Sequence, residues 1–262
     1  MASLDYKVAI VTCCTSDFGR IAATALAEAG ATLLLTGMAD TEGEALAAAL
    51  RGQGRSASYQ HLDTGDAMAW AVLADTIMRT HGHLDILVNN TSNCASLTIE
   101  GATAAQLRDV LEAGLIAPFL GMKAVIPAMR QSGGGAIINI AANPIAEVLP
   151  LYALDSSAKA GLTGLTKSTA VHCSHRGYGI RVNTVHPGAH ETALLTTNAL
   201  RSLEAEALHP MLATLPRRPQ APLQELGAAI AFLASDAAAG ITGAEIHTLG
   251  PLAGLGFTQA AP

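Results

Sequence analysis

A chain of 262 residues, half of them hydrophobic and only 14% charged, can bury one large core, and its length suits a single α/β domain over 1–262 better than two. A net charge of −6 with no basic stripe excludes a nucleic-acid partner, which would need phosphate contacts. No uninterrupted apolar run reaches the roughly eighteen residues of a membrane span, and Met1 to Lys7 leads directly into a strand, so neither a membrane anchor nor a signal peptide is expected and the location expected is cytoplasmic. Cys13, Cys14, Cys94 and Cys173 show no metal-ligand spacing. Adjacent Cys13 and Cys14 make a poor disulfide, so free thiols and no metal site are expected.

In chain order, Lys7 to Thr12 reads as a buried parallel strand, and Arg20 to Ala29 as a helix stopped by Gly30. Ala31 to Thr36 is a second buried strand, Thr41 to Leu50 an alanine-rich helix and Ser56 to Leu62 a weaker strand. Ala67 to Thr80 is a helix and Leu84 to Asn89 a fourth strand. Ala104 to Arg130 can carry two helices with a break near Gly114 to Pro118. Ala136 to Ile140 is a fifth strand, followed by a helix of small residues from about Asp155 to 175. Ile180 to Val185 is a sixth strand. Residues 189–222 are polar and irregular, with one helix around 198–208. Leu223 to Ser235 is a helix and Glu245 to Thr248 a last short strand. Apolar strands alternating with helices predict a doubly wound parallel sheet of the Rossmann type, covered on both faces.

Several stretches carry a specific pattern. Asp63 follows the third strand, Asn89-Asn90 is followed by Thr91-Ser92, and Ile180 to Gly188 reads IRVNTVHPG. Ala231 to Asp236 reads AFLASD, followed by Ile241-Thr242-Gly243. On these residues the chain resembles the short-chain dehydrogenase/reductase family over nearly its whole length. His172-Cys173, the 179–187 stretch and Gly243 to His247 are similar to bacterial hydroxysteroid dehydrogenases.

At the positions where the resemblance implies chemistry, the chain departs from the pattern. The family's first turn is T-G-x-x-x-G-x-G, and here Thr12 to Gly19 reads TCCTSDFG. Gly19 is retained. Cys13 and Asp17 replace the glycines that permit the tight bend and the close approach of backbone to a pyrophosphate. A carboxylate at 17 also opposes phosphate at a helix N-terminus, while stabilising the helix start itself. The second strand ends Thr36-Gly37-Met38, so Gly37 stands where a charged residue reads the adenosine ribose. The family pattern sets a Ser at a strand end, a Tyr early in the next helix and a Lys one turn further on, with an Asn on the preceding helix carrying a relay water. Placing Lys159 on that lysine puts Asp155 at the tyrosine, Ala142 at the serine and Gly114 at the asparagine. Asp63, Asn89, Pro187, Gly188 and Thr192 remain from the cofactor side, each with a structural reason of its own.

Asp155 and Lys159 are spaced for an intrahelical ion pair on an exposed turn; the alternative makes Asp155 a substitute acid/base. Phenol and carboxylate pKa values differ by roughly six units and the carboxylate is shorter, so the role is not simply inherited. Tyr152 lies two turns before Lys159 but follows Pro150, and reads as a packed loop residue. Ser156 and Ser157 read as capping or close-packing residues. His186 and His190 flank the cofactor-side loop, and His190 could face the cleft.

Two readings follow. In the first, this chain binds no cofactor and is the non-catalytic subunit of an oxidoreductase. It pairs with an active, NAD-bearing paralogue in a heterotetramer, or with itself, through the 104–130 and 155–175 helices. The family contains active–inactive pairs, among them the bacterial dehydrogenase of anaerobic toluene breakdown, which oxidises a 2-(hydroxyphenylmethyl)succinyl-CoA. In the second, the fold runs a lyase, isomerase or cyclase reaction on Asp155 and Lys159. Phe18 is reminiscent of halohydrin dehalogenases, which lack the glycines but keep the Ser and Tyr missing here. Weak NAD(P)-dependent reduction is a third possibility.

Overall fold

The computed structural model describes residues 3–91, 97–141, 152–187 and 223–248. Its strands are β1 (Val8–Val11), β2 (Thr32–Gly37), β3 (Ala57–His61), β4 (Ile86–Asn89), β5 (Gly135–Ile140), β6 (Ile180–Pro187) and β7 (Glu245–Thr248). They form one seven-stranded sheet in the order β3-β2-β1-β4-β5-β6-β7, parallel throughout. The helices are α1 (Asp17–Glu28), α2 (Asp40–Gly52), α3 (Ala67–His81), α4 (Ala104–Leu111), α5 (Ala117–Gln131), α6 (Ala153–His175) and α7 (Leu223–Ala234). The order reverses beside β1, which opens a crevice at the carboxyl ends of β1 and β4. The expected fold class is therefore the one observed. The helix expected around 198–208 lies outside the described residues.

Burial on both faces explains the continuous apolar strands. On one face Ala22, Ala23 and Leu26 of α1, Leu50 of α2 and Leu226, Ile230 and Leu233 of α7 pack on Val11, Leu33, Val88 and Ile138. On the other, Trp70, Leu73 and Ile77 of α3 and Met122, Val125 and Met129 of α5 pack on Ile10, Leu87 and Ile137.

Local signals set most element ends. Helix α1 begins earlier than the apolar pattern suggests because the Ser16 hydroxyl accepts from the Gly19 amide. Ser16, not Asp17, is the cap; Asp17 occupies the first turn, where its charge complements the helix dipole. Asp66 caps α3, and Gly82 at φ 79° closes it. Thr103 and Gln106 form a reciprocal capping box at α4. The expected break near Gly114 is a π-helical turn, Glu112–Ile116, that joins α4 to α5 without interrupting the helix. The joined Ala104–Gln131 helix is long and apolar enough to cross a bilayer, with mean hydropathy 1.5. The sequence alone, scanned for uninterrupted apolar runs, misses this. Here its apolar side is a layer of the core, facing α3 and the sheet.

The IRVN stretch has a structural account. Arg181 donates to the carbonyls of Leu233 (2.7 Å) and Ser235 (3.0 Å), closing the end of α7. Asn183 donates to the Ile241 carbonyl and accepts from the Ala244 amide, which delivers β7 to the sheet edge.

A buried polar relay crosses the second core. The Asn89 amide donates to Asn139 Oδ1 (2.9 Å), and Asn139 Nδ2 donates to Thr166 Oγ1 (2.8 Å). Thr166→Val keeps the shape but removes that acceptor, leaving Asn139 Nδ2 only the Met122 sulfur at 3.5 Å. We expect a loss of about 1–3 kcal/mol in urea unfolding, the cost of a stranded buried donor.

Candidate functional site

The site lies where β1, β4 and β5 end and α1 and α6 begin. After β1 the chain turns through Cys13 at φ 45°, a left-handed conformation that costs an L side chain on the order of 1–2 kcal/mol. The backbone thus keeps the bend of a glycine turn at a cysteine. A Cβ on Gly19 would lie 2.3 Å from the Cys13 carbonyl oxygen, so only glycine fits there. Asn90 secures the turn: its Nδ2 reaches Ser16 Oγ (2.8 Å) and the Cys13 carbonyl (3.2 Å), and its amide donates to Thr12 Oγ1. Cys14 is fully buried, and burial, with Cys13 beside it, pushes its thiol up to about 11. Asp17 is exposed at the helix start.

At the end of β2, a Cβ on Gly37 would meet Cys13 Cα at 3.8 Å. The Gly37 carbonyl already faces the Tyr59 hydroxyl at 2.7 Å. That hydroxyl is also 2.9 Å from Asp40 Oδ1, which in turn meets His61 Nδ1 at 2.8 Å. The hydrogen bonds from His61 and Tyr59 hold the Asp40 carboxyl below its usual range. Met38 is exposed. Asp63 is also exposed, and its Oδ1 accepts from the Gly65 amide, which turns the chain toward α3. Asn89 is buried, bonded to Asn139 and to the Pro118 carbonyl. Pro187 closes β6 opposite Thr248. Ala142, Gly188, Thr192 and His190 lie outside the described residues.

The first turns of α6 differ from expectation. Asp155 and Lys159 are 2% and 3% exposed, with Leu154, Ala158 and Leu162 on the same buried side. The exposed ion pair is therefore a correction: Asp155–Lys159 is not among the ion pairs between described residues. Lys159 Nζ donates instead to Thr91 Oγ1 at 3.0 Å. Sequence reasoning missed Thr91 as a partner, although the hydroxyl that follows Asn89-Asn90 was visible.

Gly114 faces this helix from the π-helical turn. A Cβ there would lie 2.9 Å from Ala158 Cβ and 3.9 Å from Lys159 Nζ. The glycine is thus a close-approach point, and a side chain at 114 would have to push α6 outward. Tyr152 is buried at the cap position of α6 and bridged to Leu97, so it packs outside the helix, as its proline neighbour suggests. Ser157 is exposed and donates to the Ala153 carbonyl. The arrangement is the Asp155 and Lys159 side chains buried one turn apart, with Gly114, in the turn joining α4 to α5, packed against α6.

A seven-stranded parallel sheet whose order reverses beside β1, covered by helices on both faces, defines a doubly wound α/β protein of the Rossmann type. The comparisons name the family. The model described as enoyl-(acyl carrier protein) reductase matches residues 15–250, and the chain belongs to the short-chain dehydrogenase/reductase family. It is 34% identical over 246 residues to trans-4-hydroxycyclohexanecarboxylate dehydrogenase of Sinomonas cyclohexanicum, covering 92% of this chain and 90% of the relative. It is 31% identical to the 3-alpha-(or 20-beta)-hydroxysteroid dehydrogenase of Mycobacterium tuberculosis strain H37Rv, covering 95% and 90%. A dehydrogenase/reductase crystal structure from Sinorhizobium meliloti 1021 superposes with a TM-score of 0.80 at 31% identity, over 94% of both chains.

Burial changes what Asp155 is worth. An exposed helix pair would lose only about 0.3–0.5 kcal/mol on removal. Asp155→Ala is expected to lose more than about 1 kcal/mol in thermal or urea unfolding, because it strips a buried polar group from its surroundings.

Proposed function

We propose that this chain is a non-catalytic member of its family, retained as the structural partner of an active paralogue in an NAD-dependent alcohol or 3-hydroxyacyl-CoA dehydrogenase complex. The observation that carries this reading is Lys159. The lysine of the family pattern remains, buried, but its amine is bonded to Thr91 and a carboxylate stands one turn before it in place of a phenol. The cofactor side supports the same reading. Cys13 fills the tight turn, Asp17 places a negative charge at the start of α1, and the Gly37 end of β2 is engaged by Tyr59. A dinucleotide does not fit these residues well, and we place NAD in the partner subunit, with the pair in the cytoplasm.

The surface of α6 supports a partner. Ser157, Ala160, Gly164, Ser168 and Val171 are exposed and follow one another at spacings of three and four, a continuous small-residue face. Phe119 on α5 and Ile116 before it are also exposed. Such a face lets a second helix approach closely over a long contact. An active–inactive pairing like that of anaerobic toluene breakdown, with its succinyl-CoA substrate, is the specific arrangement we favour. The names of the relatives, which act on ring and steroid hydroxyls, agree with a secondary-alcohol substrate for the complex.

Burial of Asp155 and Lys159 together is the one observation that favours changed chemistry instead. Turnover by the chain alone, abolished by Asp155→Asn, would establish that reading.

The cofactor part is tested by calorimetric titration. The purified chain should bind NAD(H) and NADP(H) weakly or not at all, and a low-micromolar dissociation constant would overturn it. Cys13→Gly with Asp17→Gly should recover binding, and the first change alone should stabilise the fold by about 1 kcal/mol through relief of the left-handed strain.

The partner part is tested at Gly164, where a Cβ meets nothing within 4 Å in this chain. Gly164→Leu should leave the protomer folded yet split the complex in light scattering and lower the partner's activity. An unchanged complex would rule out this face.

A further inference from the structure

Among the described residues one cluster of ligand-type side chains lies outside the site above: His186, Glu245 and His247, whose ligand atoms all lie within 4.8 Å of one another. Topology brings them together. His186 on β6 pairs with His247 on β7, and Glu245 stands opposite Thr184. Side chains alternate across a strand, so 186, 245 and 247 share one face of the sheet. Lys167 of α6 reaches the cluster from that face, its Nζ 2.6 Å from Glu245 Oε1.

Hydrogen-bond accounting makes the cluster more than a polar contact. His186 is 1% exposed. Its Nδ1 lies 3.1 Å from the Ala141 carbonyl oxygen, and its Nε2 lies 3.1 Å from Glu245 Oε2. Both partners only accept. A neutral imidazole carries one N–H, so it satisfies one of them and turns a lone pair on the other. An imidazolium would satisfy both. That cation would be buried, with the His247 ring stacked on it at 4.6 Å between centroids and 16° between planes. Burial and the His247 ring both favour the neutral form of His186. In the neutral form one of the two buried ring nitrogens therefore turns a lone pair toward an acceptor oxygen.

We propose that His186 Nε2, Glu245 Oε2 and His247 bind a divalent first-row cation, with Zn²⁺ the best match, and that the ion ties edge strand β7 to β6. Two imidazoles and one carboxylate form a recurring zinc ligand set, with water in the fourth position of an open site. At zinc–ligand distances near 2.0–2.1 Å, neighbouring ligand atoms in a tetrahedral site lie about 3.3 Å apart. His186 and Glu245 already meet at 3.1 Å; His247 is exposed, with its ligand atom within 4.8 Å of both. The supporting shell is in place. With Nε2 on the metal, Nδ1–H of His186 would donate to the Ala141 carbonyl 3.1 Å away, a partner that holds the ring in place. Lys167 holds the second carboxylate oxygen and orients the first, although its own charge works against cation affinity.

The test uses tag-free, dialysed full-length protein titrated calorimetrically with Zn²⁺, and with Co²⁺ read by visible absorption. One ion per chain is expected, with the intense cobalt bands of a four-coordinate site. His247→Ala and Glu245→Gln should each weaken zinc binding by about ten-fold or more, with far-UV circular dichroism unchanged. His247 is exposed and Gln keeps the shape of Glu, so both variants should fold. Zinc should also raise the unfolding temperature of the wild-type chain and not of His247→Ala. No stoichiometric binding, or binding equal in wild type and His247→Ala, would overturn the site and leave His186 and Glu245 as a hydrogen-bonded pair.

Discussion

The position of α6 over the sheet depends on a row of buried amides and a hydroxyl. Asn89 at the end of β4, Asn139 in β5 and Thr166 in α6 pass hydrogen bonds from strand to strand to helix, and Thr166 in turn donates to the Leu162 carbonyl. Buried polar groups are costly unless every one is satisfied. The row therefore permits one height and one rotation of α6. Lys159 lies two turns before Thr166 on the same buried side, so the relay that fixes the helix also fixes how deep Asp155 and Lys159 sit. The cleft side chains changed while the frame that aims them did not.

The same division runs through the other motifs. Asn90 holds the first turn, Arg181 closes α7 and Asn183 delivers β7. Each does structural work whether or not a cofactor is bound. The family resemblance is strong in IRVN, where these structural roles lie, and weak at the first-turn glycines and at 155.

Strand positions and the sheet type were legible because both faces are buried, giving continuous β-branched and leucine runs such as Thr32–Gly37. The turn at Gly114 was legible as a break but not as a π-helical turn, since nothing in EAGLI distinguishes a wider turn from a kink. The depth of Asp155 was not legible. The rule that pairs residues one turn apart assumes a solvated face, and α6 is so rich in Ala, Gly, Ser and Thr that its periodicity hardly separates inside from outside. Thr91 became a partner only through the fold, because 91 follows β4 and 159 lies on the helix after β5, its neighbour in the sheet. The histidine cluster was hidden for a similar reason. His186 and Glu245 are distant in sequence, and only the register of β6 with β7 sets them on one face.

The close approach of α6 to its neighbours gives the altered cleft its physical coherence. Ala158 meets Gly114, and a Cβ on Gly161 would lie 3.0 Å from Leu115 Cδ2, so the helix rests on the π-helical turn through small residues at both places. A side chain at 114 would lift α6 from that turn and strain the Thr166 hydrogen bond two turns along. Gly114, the first turns of α6 and Lys159 turned to Thr91 thus form one packed arrangement.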